Sequence, residues 1–132
     1  MNLRLKTNLE VEKKLTELQS SLQLSSKAAV MRLAIGYSLK INDDPRYENS
    51  QYSPYDIKKQ NGTDYNRYTI FGEDELVYKV LMQQHINQNV NDEIFFPELT
   101  NAHITRGIRE LYADFKLANS KEKFIKKLLY NN

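Results

Sequence analysis

"NLRLKTNLEVEKKLTELQSSLQLSSKAAVMRLAIGYSLK", residues 2–40, decides how the rest of the chain is read. Leu3 and Leu5 alternate with Asn2, Arg4 and Lys6, the two-residue period of a strand with one apolar and one basic face. Thr7 followed by Glu10 has capping-box spacing. Val11, Leu15, Leu18 and Leu22 then recur at helical intervals and predict a helix over about 8–22. Ser25 or Ser26 suits the cap of a second helix running to about 40. That helix is apolar almost all round, from Ala29 to Leu39, so it is expected to be buried in a core or an oligomer. Gly36 within it suggests the close approach of a neighbour.

Strand, helix, turn, helix is the ribbon-helix-helix order. Two chains of that design pair their N-terminal strands, and the outward face enters a major groove. Arg4 and Lys6 would face outward, and Lys27 would stand beside the free N–H groups that open the second helix. Lys13 and Lys14 add charge on the polar side of the first helix. The competing interpretation is an ordinary edge strand whose charges blunt aggregation.

Periodicity disappears from 41 to 56, where Pro45 and Pro54 sit among Asn, Asp, Ser and tyrosines, so a long loop is expected. It is expected to be mobile, with Tyr47, Tyr52, Tyr55 and Tyr65 open to a partner. Asn61-Gly62 between two strand-like runs predicts a small β-hairpin. A third helix is expected over about 73–86, with Leu76, Val77, Val80 and Leu81 inward. A fourth opens with Pro97 in its first turn and carries Leu99, Ile104, Ile108, Leu111 and Phe115. Ser120 caps a short final helix with Phe124 and Leu128 on one side.

The expected fold is therefore mainly α in one domain, 1–132. Residues 1–40 form strand-helix-helix, 41–72 the loop and hairpin, and 73–132 two or three further helices. One core fits a chain of 132 residues. The net charge is only +2, too small by itself to establish a nucleic-acid partner. Lys116, Lys121, Lys123, Lys126 and Lys127 gather near the C-terminal end, with Glu122 the one acid from 115 onward. The run could track a DNA backbone or form a solvated helix face.

There is no cysteine, so disulfides and thiolate metal sites are excluded. The two histidines, His85 and His103, show no metal-ligand spacing; His85 is expected to be solvated near a helix end, His103 to cap or pack. No phosphate-binding glycine loop, paired catalytic carboxylates or nucleophile with a base is legible, so no cofactor and no catalytic residue is expected. Arg106 and Arg109 share a helix face, and Arg67 lies among tyrosines, suited to a phosphate or to a carboxylate such as Glu73. No apolar stretch approaches the ~20 residues of a membrane span. The N-terminus has no apolar signal region, and a cytoplasmic protein is expected.

The order "RLAIGYSL", "NRYTIFGE", "HITRGI" resembles the DndE family, the small component of bacterial DNA sulfur modification (phosphorothioation), over about residues 2–115. The resemblance implies a DNA-associated, homo-oligomeric accessory protein. Its implied partners are DNA, duplex or nicked, and the sulfur-transferring and ATPase-like subunits of that machinery. A nicking activity is part of what the resemblance brings, although the residues supply no constellation for it. On local geometry, the candidate DNA contacts are Arg4, Lys6, Lys13, Lys14 and Lys27. The alternatives are a ribbon-helix-helix repressor or antitoxin, a subunit that contacts only protein, and a metal-dependent nickase.

Overall fold

A computed structural model describes residues 1–47 and 61–130. The strand at the start is β1, Arg4–Lys6, and it pairs antiparallel with β2, Asp64–Asn66, of the same chain. The register sets Leu5 opposite Tyr65, both buried. The antiparallel pair is therefore closed between strands some sixty residues apart, in place of an inter-chain ribbon or a turn at Asn61-Gly62. The first of the two expected hairpin runs lies outside the described residues. On its other edge, β1 offers the Lys6 carbonyl to Asn101 Nδ2 at 3.1 Å. Leu5 is 1% exposed but Leu3 is 56% exposed, so only one of the two strand leucines reaches the core.

The Asn61-Gly62 stretch packs on the start of the first helix, α1, Leu9–Leu22. Gly62 N–H donates to the Thr7 carbonyl, and Asn61 Oδ1 accepts from Leu9 N–H. The cap of α1 is Asn8, whose side chain accepts from Glu10 N–H. Thr7, the expected cap, instead donates its hydroxyl to Glu12 at 2.8 Å. Val11, Leu15, Leu18 and Leu22 are buried as their spacing requires.

Ser26 caps α2, Lys27–Ser38, by accepting from Ala29 N–H. The apolar surround of α2 is covered by its own chain: α5 (Thr100–Ala118), α1 and α3 (Arg67–Phe71) all pack on it. The tightest approach is not at Gly36, which has open space, but at Gly107 of α5. A Cβ there would fall 1.9 Å from the Ala34 carbonyl oxygen, so only glycine lets the two backbones cross this closely. From Thr100 to Ile108 every residue of α5 is buried, which makes it the central helix. It starts at Thr100, not at Pro97. The chain leaves helical geometry at Phe96, before a cis Phe96–Pro97 peptide.

Between β2 and α5, α3 leads through a short turn, Gly72–Asp74, into α4, Glu75–Ile86. The inward residue of α4 is Met82, helped by Tyr78 and Ile86. Leu76, Val77, Val80 and Leu81 lie on the opposite face and are exposed, Leu76 by 71%. The inward assignment of those four is thus reversed: α4 is apolar on both sides, and sequence alone does not say which side the core takes. The last helix, α6, Lys121–Tyr130, is capped by Ser120, which accepts from Lys123 N–H. It docks through Phe124, wholly buried edge-on against Phe115 of α5. One hydrophobic cluster runs from Leu5 through to Phe124. Among the described residues no helix is long and apolar enough to cross a membrane.

Candidate nucleic-acid interface

The cations of the N-terminal half divide by what they touch. Lys27 Nζ is 3.1 Å from Glu12 Oε1. Glu12 is nearly buried and also accepts from the Thr7 and Tyr65 hydroxyls. Burial alone would raise its pKa, but the hydrogen bonds from Tyr65, Thr7 and Lys27 outweigh that and hold it low. Tyr65 is raised in turn, first by burial and then by its anionic neighbour. Tyr65 is therefore fixed in the core and not offered to a partner. Tyr47 is exposed, while Tyr52 and Tyr55 and the expected mobility of 48–56 fall outside the described residues.

Lys14 is bound to Glu10 at 2.8 Å, and Glu10 also accepts from Arg109 of α5 at 2.8 Å. Burial pulls the Glu10 carboxyl up, and these two cations bring it below its ordinary value. Arg4 reaches diagonally across the sheet to Asp64 at 3.0 Å. Of the five candidates, Arg4, Lys14 and Lys27 thus have intramolecular anions. Lys6 and Lys13 are exposed, with no ion-pair partner among the described residues. Lys13 lines a groove with Leu9, Glu10, Lys14, Glu17 and Tyr112, which mixes both signs of charge.

The arginines are also engaged within the fold. Arg67 bridges Glu75 and Asp92, not Glu73, and donates to the Asn2 carbonyl. Arg106 is 1% exposed and donates to the Ser38 hydroxyl and to the carbonyls of Ser38, Ile41 and Asp43. Because Ser38 Oγ accepts from Arg106 Nε, the hydroxyl proton is left for His103 Nδ1, 2.8 Å away. His103 is then neutral, with its own proton on Nε2. Burial is the main cause of its low pKa, about 3, and the charge of Arg106 adds to it. His85 is not solvated: its Nε2 donates to the Ile41 carbonyl, and its ring meets His103 edge-on. This polar cluster ties residues 38–43 to α5.

A second cationic surface lies on α6. Lys127 pairs with Asp114 at 3.5 Å, and Lys121 with the Gln23 side chain at 2.7 Å. The side chains of Lys123 and Lys126 are exposed, with no ion-pair or hydrogen-bond partner among the described residues. They line a groove with Lys127, Asn119, Leu117 and Tyr130, and no acid lines it. Among the described residues no group of three or more His, Cys, Asp or Glu side chains is placed to hold a metal.

The family model for the DNA sulphur modification protein DndE matches residues 4–119. The chain belongs to the DndE family. No curated protein matches it. The matched span takes in the strand pair, both N-terminal helices and the whole of the buried α5, and DndE membership implies a role in DNA sulfur modification. The match ends just before α6.

Proposed function

We propose that this DndE-family chain is a DNA-binding accessory subunit of the phosphorothioation machinery. It binds duplex or nicked DNA through surface cations and works in the cytoplasm beside sulfur-transferring and ATPase-like subunits. The observation that carries this reading is the family match over 4–119, which includes nearly the whole core. A few free lysines per chain would give weak sequence preference and a steep salt dependence, since phosphate contacts release counterions. In this reading the role is non-enzymatic.

A protein-contacting role is favoured by a separate observation. Leu76, Val77, Val80 and Leu81 form one exposed apolar face of α4, the kind of patch that marks an interaction site. A homo-oligomer through this face is compatible with DNA binding elsewhere. The test is fluorescence anisotropy with several unrelated labelled duplexes at low salt. Similar affinity for all of them supports the reading. No binding leaves a subunit that contacts only protein, and strong preference for one palindrome favours a repressor.

A further inference from the structure

We infer that α6, and not the N-terminal strand or α1, carries the main contacts to the phosphate backbone. This inference rests on the DNA-binding reading above. Charge is unevenly distributed along the chain. The chain carries +2 in all, while the four lysines and one glutamate of α6 contribute +3, so the rest of the chain is at −1. Residues 1–3 have no charged side chain, and the only other charges beyond the family match are those of α6. The family core is thus slightly acidic, and the whole positive excess resides in one ten-residue helix.

Pairing sharpens the contrast. In the core, Arg4, Lys14, Lys27, Arg67, Arg109 and Lys116 are each set against a carboxylate. A phosphate approaching them meets a cation already neutralised, beside an anion that repels it. Lys123 and Lys126 have no such anion among the described residues, and the groove they line contains none. Three residues apart on a helix, they share a face. Tyr130, four residues on from Lys126, extends that face with an exposed ring able to pack on a sugar or an unstacked base.

The orientation of α6 favours a polyanionic strand over a bilayer. A helix lying on a membrane must turn its apolar side to the lipid. Here part of that side is occupied: Phe124 is wholly buried against Phe115 and Leu128 packs on the same cluster, which leaves Ile125 and Leu129 as the exposed aliphatic side chains of the helix, a small area for insertion into lipid. Lys123 and Lys126 project away from that contact. The Lys127–Asp114 and Lys121–Gln23 contacts hold the helix against α5 and the end of α1, so the stripe is presented in a fixed pose.

The test compares the full-length protein with Lys123→Ala/Lys126→Ala and with Lys6→Ala/Lys13→Ala. Affinity for one unrelated duplex is measured across a series of salt concentrations. All four side chains are exposed, and circular dichroism verifies folding. The α6 pair should lower the slope of log affinity against log salt by about 1.8, or about 0.9 for each phosphate that is no longer neutralised. The Lys6/Lys13 pair should change it by much less, and Lys123→Arg/Lys126→Arg should restore it. If the wild type binds and the α6 pair has an unchanged slope, the inference is overturned while the DNA-binding reading stands. If the wild type binds no duplex, both fall. If the α6 pair loses binding to phosphatidylserine vesicles but keeps its duplex slope, the surface is a membrane contact and the inference is overturned.

Discussion

Lys27 at the head of α2 is the counterion of Glu12 on α1, with Nζ 3.1 Å from a carboxylate oxygen in a nearly closed pocket. A lysine that reads in the sequence as a DNA contact therefore joins two helices. Removing it leaves a buried anion with two hydroxyl donors and no cation. Lys27→Ala should destabilise the protein by about 1–3 kcal/mol, the range for losing a partner of a charged buried group. Urea unfolding measures this, and DNA affinity of the folded fraction should be nearly unchanged.

Two glycines should respond oppositely to the same substitution. Gly107→Ala places a methyl 1.9 Å from the Ala34 carbonyl oxygen and forces α2 and α5 apart. The expected cost is about 1–3 kcal/mol or more, as for overpacked cores. Gly36→Ala meets nothing within 4 Å at an exposed site inside α2. It should stabilise by about 0.5–1 kcal/mol through helix propensity. Denaturation midpoints of the two variants should move to opposite sides of the wild type.

Much of the N-terminal half is legible in the sequence because its signals are local. The period of Val11, Leu15, Leu18 and Leu22 and the cap at Ser26 each depend on residues within a turn or two. What is not legible depends on distant partners. β1 finds β2 some sixty residues away, and Arg109 finds Glu10 ninety-nine residues away. The α4 faces are reversed in the sequence reading because both are apolar, and only the positions of α3 and the Phe95–Phe96 turn decide between them. For the candidate site, charge can be read but pairing cannot. Three of the five candidate cations have intramolecular anions, while the unpaired α6 lysines stand out in the sequence only as part of a basic run. The close approach at Gly107 leaves no signal beyond the glycine itself.

Stability should depend on His103 in mildly acidic solution. Burial lowers its folded pKa to about 3 from an ordinary 6.5. Arg106, His85 and Arg46 add to the depression, and Asp44 opposes it. Below pH 6.5 the unfolded chain takes up a proton that the folded chain refuses. The stabilisation is thus complete above pH 6.5 and is lost as pH falls, by about 1.4 kcal/mol per unit once well below that value. Between pH 6 and 5 most carboxylates remain ionised in both states, so the decline there belongs largely to histidine. His103→Gln should flatten it, as measured by urea unfolding at pH 7, 6 and 5.

The exposed face of α4 should govern association. Leu76→Glu with Val80→Glu changes residues that are 71% and 42% exposed, so the fold should lose less than about 1 kcal/mol. If the face joins copies of the chain, light scattering at micromolar concentration should show the variant at lower mass than the wild type. Equal masses would remove α4 from the oligomer interface.

Phosphorothioate content of host DNA, measured by mass spectrometry of enzymatic digests, tests most directly whether the chain serves sulfur modification by touching DNA. Deleting its gene should abolish or sharply reduce phosphorothioate linkages. The wild-type gene should restore them, and a Lys123→Glu/Lys126→Glu variant expressed at the same level should restore them poorly. Undiminished phosphorothioate in the deletion strain would contradict a role in the modification. Full restoration by the charge-reversed variant would contradict DNA contact through α6.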